Sequence, residues 1–140
     1  MRSAARGPML IVDAACVYEV VSDSDEADTV RQRLRLDPDL AAPHAVDAEV
    51  LGVIRRDLML GRLDRTSAHQ AVEDLRDFPV ERYGHRLLLW RAWELRDRIR
   101  SWDALYVALA EAMDATLITL DERLARAVGS DCRVEVPGRY

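Results

Sequence analysis

Four acids in this sequence stand where a carboxylate needs a reason: Asp13, Glu49, Asp103 and Asp121. Asp13 closes the apolar run Met9-Leu10-Ile11-Val12, and Asp121 follows TLITL at once, so both sit at the ends of strand-like segments. Glu49 falls three residues after Val46 and four before Val53, beside the apolar stripe of a helical pattern. Asp103 has Tyr106, Val107 and Ala110 at helical spacings and lies in the first turn after Ser101. Each has a plain explanation: a strand-end Asp turns the chain or caps a helix, an acid beside an apolar stripe pairs with an Arg, and a first-turn acid gains about 0.3–1 kcal/mol from the helix dipole. Taken together they favour one shared cause, an all-oxygen cluster for one or two hard divalent cations such as Mg²⁺ or Mn²⁺, with phosphate oxygens and water completing the shells. Without a metal such a cluster repels itself, so its carboxyl pKa values are expected to rise.

For these acids to meet, the elements carrying them must share one edge of a sheet. The pattern predicts a strand at 9–12, a helix over AACVYEVV, a second helix over about 25–35 capped by Ser24, and a short strand near Leu40–Ala42. A clear helix follows from His44 to about Leu60, with Pro43 before it and Gly61 at its stop. Thr66 is expected to cap a helix reaching Asp77, Val80–Tyr83 to add a strand, and 86–98 to form a Leu- and Trp-rich helix. Ser101 opens a helix over SWDALYVALAEAMD. TLITL is the next strand, ERLARAV a short helix, and a last strand falls near Cys132–Val136. Short apolar strands alternating with amphipathic helices imply an α/β fold, with helices covering both faces of a mainly parallel central sheet in three layers, α/β/α. In such sheets sites form beyond the carboxyl ends of the strands, where Asp13 and Asp121 stand.

At 140 residues, with no internal repeat or linker, the chain is expected to be a single domain over 1–140, residues 1–8 being a loose N-terminal extension. All 20 basic residues are Arg, and the formal net charge of −5 excludes the overall basic field of a general nucleic-acid coat, so nucleic acid must be held locally. Cys16 and Cys132 lack zinc-site or redox spacing and read as reduced thiols of a cytoplasmic protein. Asp13 and Glu19 interrupt what would otherwise mimic a secretory core, and no segment approaches the roughly 18 apolar residues of a membrane span.

Three segments, MLIVDAACV, PHAVDAEVLGVIRR and SWDALYVALAEAMDATLITLDERLARA, resemble the PIN-domain nucleases, and within them the VapC-type toxins of bacterial toxin–antitoxin pairs. Together the segments reach from Met9 to about Ala127. The resemblance implies a PIN-like fold and carries the family's four acids onto Asp13, Glu49, Asp103 and Asp121, with supporting hydroxyls on Ser101 and Thr119. It implies Mg²⁺- or Mn²⁺-dependent cleavage of RNA, a small antitoxin whose C-terminal segment lies across a groove and blocks the acidic pocket, and homodimers. The stretch from about Thr66 to Tyr83 carries no part of the signature.

Arg55, Arg56, Arg91, Arg96, Arg98 and Arg100 offer a local phosphate-binding rim or, alternatively, a solvated face with salt bridges. Trp90, Trp93 and Trp102 read as core or dimer packing more readily than as a stacking platform for bases, and His44, His69 and His85 as surface or packing residues. A receiver domain would need a lysine that the chain lacks, and a haloacid-dehalogenase-like phosphatase would need an Asp where Ala15 stands. A non-catalytic module that binds RNA or protein, and a PIN nuclease working outside a toxin pair, are the alternatives that survive.

Overall fold

In the computed structural model, which describes residues 9–37 and 39–138, five parallel strands lie in the order β3-β2-β1-β4-β5. They are β1 (Leu10–Val12), β2 (Leu40–Pro43), β3 (Glu81–Tyr83), β4 (Thr116–Ile118) and β5 (Val134–Glu135). Between them run α1 (Ala14–Val21), α2 (Ala27–Leu34), α3 (Ala45–Met59), α4 (Arg65–Arg76), α5 (Leu89–Glu94), α6 (Ser101–Ala112) and α7 (Glu122–Val128). The expected extension at residues 1–8 lies outside the described residues.

Parallel neighbours need crossover connections, and right-handed crossovers fix the layers. From β1 to β3 the chain steps toward one edge, placing α1 to α4 on one face. It then returns past β1 to β4 and β5, placing α5 to α7 on the other. This is the three-layer α/β/α arrangement the sequence implies, with every described strand pair parallel. The direction of stepping reverses between β1 and β4, a switch point at whose carboxyl edge a crevice opens.

Burial follows the layers. Leu10, Ile11 and Val12 are wholly buried, as expected of a central strand covered on both faces. From Ala104 to Ala110 every residue of α6 is buried, because this helix packs across β1, β2 and β4 while α5 covers its outer side. Each such Leu, Ile or Val contributes about 1.5–3 kcal/mol of transfer free energy. Arg82 ties α3, α4 and β3 together, pairing with Asp47 at 2.9 Å and donating to the carbonyls of Leu75, Phe78 and Val80.

Several boundaries differ from the sequence reading, each for a local reason. The α2 helix starts after Glu26: the Ser24 hydroxyl donates to Glu19 and accepts from the Glu26 amide at 3.3 Å, so it closes the turn before the helix and not the helix itself. Asp64, accepting from the Ser67 amide at 2.7 Å, caps α4 and leaves Thr66 inside the helix. The span 86–98 is not one helix: a 3₁₀ turn (Arg86–Leu88) leads into α5, and i→i+3 bonds tighten the chain after Glu94. Leu88, Leu95 and Ile99 point inward from it, whereas Trp90 is 80 % exposed and Trp93 58 %, so core packing is ruled out for these tryptophans. The last strand shrinks to Val134–Glu135. His85 has a packing role, its Nε2 accepting from the Ala45 amide at 3.0 Å and closing the start of α3, where His44 supplies no side-chain cap.

Candidate active site

The parallel register explains why Asp13 meets Thr119. Leu10, Ile11 and Val12 lie opposite Thr116, Leu117 and Ile118, so the next residues on the two strands leave the sheet side by side. The Thr119 hydroxyl donates to Asp13 Oδ2 at 2.5 Å and accepts from the Asp121 amide at 3.0 Å. One buried hydroxyl thus joins both strand-end acids. Asp13 also caps α1 by accepting from the Cys16 amide at 2.9 Å, and Asp121 caps α7 by accepting from the Arg123 and Leu124 amides at 2.9 and 3.3 Å. Capping is therefore true of both, and it fixes their carboxylates at the switch point.

Glu49 and Asp103 reach the same edge from helices on opposite faces. α3 leaves β2 at its carboxyl end, and α6, running back toward β4, begins at that edge. Glu49 Oε1 accepts from the Tyr106 hydroxyl at 2.8 Å, a bond spanning α3 and α6, and Asp103 Oδ2 lies 3.4 Å from a guanidinium nitrogen of Arg100. No Arg pairs with Glu49 among the described residues, so the plain alternative for that acid does not hold.

The acids feel one another. Burial pushes the Asp13 carboxyl up, its bonds from Thr119 and Cys16 oppose the rise, and the charge of Asp103 adds to it. Burial likewise raises Glu49 against the Tyr106 bond, helped by Asp103 and Asp13. Asp103 is raised by burial and by Asp121, with Arg100 pulling the other way. Burial is the main cause of all three rises, and repulsion between the acids is a smaller addition to it. The Tyr106 phenol is held far above its ordinary value by burial and by Glu49, so it stays a donor. The Cys16 thiol is pushed up by burial and by Asp13, which makes it a neutral neighbour and a poor nucleophile.

The donor chemistry is wholly oxygen, four carboxylates and a threonine hydroxyl, which fits Mg²⁺ or Mn²⁺ and disfavours softer ions. Among the described residues no three acids, histidines or cysteines close around a single point. Asp13, Glu49 and Asp121 are each turned toward hydrogen-bond donors instead. Beside Asp103 and Asp121 a cleft of about 280 Å³ opens, its other walls including Arg98, Arg100 and Arg123. A larger cleft of about 550 Å³, lined by Val20, Leu34, Leu40 and Phe78, contains none of the four acids.

Sequence reasoning named the four acids and Thr119. Ser101 takes its place as the first residue of α6 but is exposed and stands apart from the hydrogen-bonded network. Tyr106 and Arg123 were missed. Tyr106, one turn after Asp103, was counted only as apolar stripe, and its hydroxyl was the available signal. Of the six arginines offered as a rim, Arg91 pairs with Glu111, Arg96 stacks on Trp93, and Arg98 is held by Asp131 and the Ala127 carbonyl.

A profile of the PIN domain matches residues 10–129. The chain is 42 % identical over 130 residues to Ribonuclease VapC3 of Mycobacterium tuberculosis, covering 91 % of this chain and 94 % of that protein. It is 35 % identical over 127 residues to Ribonuclease VapC1 of the same organism, covering 90 % and 96 %. Among solved structures, VapBC2 from Rickettsia felis bound to a DNA fragment from its promoter superposes with a TM-score of 0.68 at 17 % identity, over 92 % of this chain and 98 % of that one. That likeness bears on the fold, and the sequence matches bear on the lineage: the chain belongs to the PIN-domain family and, within it, to the VapC-type proteins.

Proposed function

We propose that the protein is a metal-dependent endoribonuclease, the toxin of a toxin–antitoxin pair, working at Asp13, Glu49, Asp103 and Asp121. The observation that supports this reading is that Asp13, Glu49, Asp103 and Asp121 lie at the carboxyl edge of the sheet, linked by the charge of Asp103 acting on Asp13 and Glu49 and of Asp121 acting on Asp103, in a chain 42 % identical to a ribonuclease of the VapC type.

In this reading Asp13 is the central ligand, fixed by Thr119 and the start of α1. Glu49 and Asp103 complete or orient the shell, and Asp121 binds a second ion or positions water. Mg²⁺ or Mn²⁺ held by these acids would lower the pKa of a water molecule and stabilise negative charge on the phosphate and the departing oxygen. Hydrolysis would form a bond from the water oxygen to phosphorus as the bond to the ribose oxygen breaks, the proton that the water loses being balanced by the one that the leaving oxygen gains. Tyr106, kept protonated, holds Glu49 in place throughout.

The partner in this reading is a small cognate antitoxin whose C-terminal segment covers the acidic pocket. The protein works in the cytoplasm; among the described residues no helix is long and apolar enough to cross a membrane. Exposed Leu87, Leu89, Trp90 and Trp93 form the face for a second copy.

The test is cleavage of total cellular RNA by purified protein in Mg²⁺, Mn²⁺ or EDTA, alongside Asp13→Ala and Asp103→Ala. Cleavage is expected only with metal and is expected to fall by two orders of magnitude or more in both variants. Cutting that survives in EDTA or in the variants overturns the site.

A further inference from the structure

An acidic site poses an electrostatic difficulty for a polyanionic substrate, since RNA brings about one negative charge per nucleotide toward four carboxylates. Something beside the site must attract the backbone. Of the six arginines offered by the sequence as a rim, three are committed elsewhere. Arg91 is paired with Glu111 through two hydrogen bonds, and Arg96 lies over the Trp93 ring. Arg98 lines the cleft, but its two terminal nitrogens already serve the Ala127 carbonyl and Asp131 at 2.7 and 2.6 Å.

Two guanidinium groups on that cleft are different. The Arg123 side chain is exposed and makes no ion pair among the described residues, although its backbone amide bonds to Asp121. Arg100 is 84 % exposed at its side chain; among the described residues its one ion pair is the 3.4 Å approach to Asp103, and its charge also acts on Glu49. A surface pair of that kind is worth little, so the guanidinium is free to change partner. The positions are fixed even though the side chains are loose. Arg123 is in the first turn of α7, directly after the cap Asp121, and Arg100 immediately precedes α6, three residues before Asp103. Both therefore line one cleft of about 280 Å³ whose other charged walls are Arg98 and two of the proposed metal ligands, Asp103 and Asp121.

We propose that Arg100 and Arg123 form a phosphate clamp that holds the RNA backbone phosphate neighbouring the scissile one, drawing single-stranded RNA across Asp103 and Asp121. This rests on the ribonuclease reading given above. A planar guanidinium can bind phosphate through two parallel hydrogen bonds, and a pair of them across one cleft fixes the direction in which the strand crosses the acids. Both groups act on the bound strand, not on the reacting atoms, so they are positioning residues. Their removal affects capture and alignment more than the chemical step.

The experiment compares wild type, Arg100→Gln, Arg123→Gln, the double variant and Arg100→Lys. A control variant, Arg76→Gln, alters an exposed pair with Asp77 that lies outside the cleft. Binding of a fluorescently labelled single-stranded RNA is measured in EDTA across a salt series, and cleavage of the same RNA in Mn²⁺ gives KM and kcat. Each Gln substitution is expected to weaken binding on the order of 10-fold at low salt, to raise KM more than it lowers kcat, and to flatten the log–log salt slope by about 0.7. Arg100→Lys is expected to restore the salt slope, which depends on charge, but only part of the affinity, which depends on the fork. Arg76→Gln is expected to match wild type. If wild type binds and cuts the RNA while the double variant retains its KM and salt slope, the clamp is wrong and the ribonuclease reading stands. If wild type neither binds nor cuts single-stranded RNA, the ribonuclease reading fails and the clamp with it.

Discussion

Thr119 is the residue on which the strand-end half of the site turns. Its single hydroxyl proton goes to Asp13 while its lone pair receives the Asp121 amide, and it is wholly buried. Thr119→Val keeps the shape and removes the bond to Asp13 Oδ2 and the bond from the Asp121 amide, so a loss of roughly 2 kcal/mol or more is expected in denaturant unfolding, with Thr119→Ser close to wild type. Equal stability of the Val and Ser variants would show that the hydroxyl carries nothing. The acids themselves predict a pH dependence. Asp13, Glu49 and Asp103 all have folded-state pKa values above the ordinary carboxyl range. Each binds its proton more tightly when folded, so its contribution to stability is full below the unfolded value and is lost as pH rises through the folded one. Asp103→Asn removes one such group. In EDTA its melting temperature at neutral pH is expected to exceed that of wild type, and the gap to shrink as the pH is lowered and wild type takes up its own proton at Asp103. A gap independent of pH would mean that the charge of Asp103 is not the cause. The positions of these acids were legible in the sequence because an acid beside an apolar stripe is out of place. Tyr106 and Arg123 were not, because a tyrosine suits an apolar stripe and an exposed arginine is ordinary until a cleft is seen beside it.

The elements make the site by bringing helix starts to one edge. α1, α3, α6 and α7 all begin there, and the partial positive charge of their free amides offsets the acids. Asp121 shows how closely element and site are joined, since it is both the cap of α7 and one of the four acids. Asn caps as well as Asp, so Asp121→Asn is expected to leave stability nearly unchanged while cleavage falls. Asp121→Ala is expected to lose about 1 kcal/mol in addition, read by thermal unfolding. Strong apolar periodicity made α3 and α6 legible in advance, and β-branched runs made β1 and β4 so. The segment 86–98 was misread because its leucines and tryptophans recur at helical spacing, a pattern that says an apolar face exists without saying what covers it. Thr66 failed as a cap because Asp64 claimed the bond first, and Ser24 because its hydroxyl accepts from the Glu26 amide, ahead of the first residue of α2.

At the scale of the whole molecule, the apolar face left on Leu87, Leu89, Trp90 and Trp93 concerns assembly. Trp90→Ser with Leu87→Ser is expected to shift the protein from dimer to monomer in light scattering without lowering its melting temperature below that of the separated subunit. A monomeric wild type would remove the proposed second copy from this face. The sheet has a further consequence for assembly. Its two borders are β3, three residues long, and β5, two residues long. Backbone pairing at a border joins any two chains of suitable length and is blind to their side chains, but borders this short give it almost no ladder to extend. In the proposed assembly, recognition between subunits would thereby be left to helical side chains, which can diverge one residue at a time. A cell carrying many proteins of this architecture could then keep them from exchanging subunits through sequence differences over a few residues around α5, with the sheet untouched.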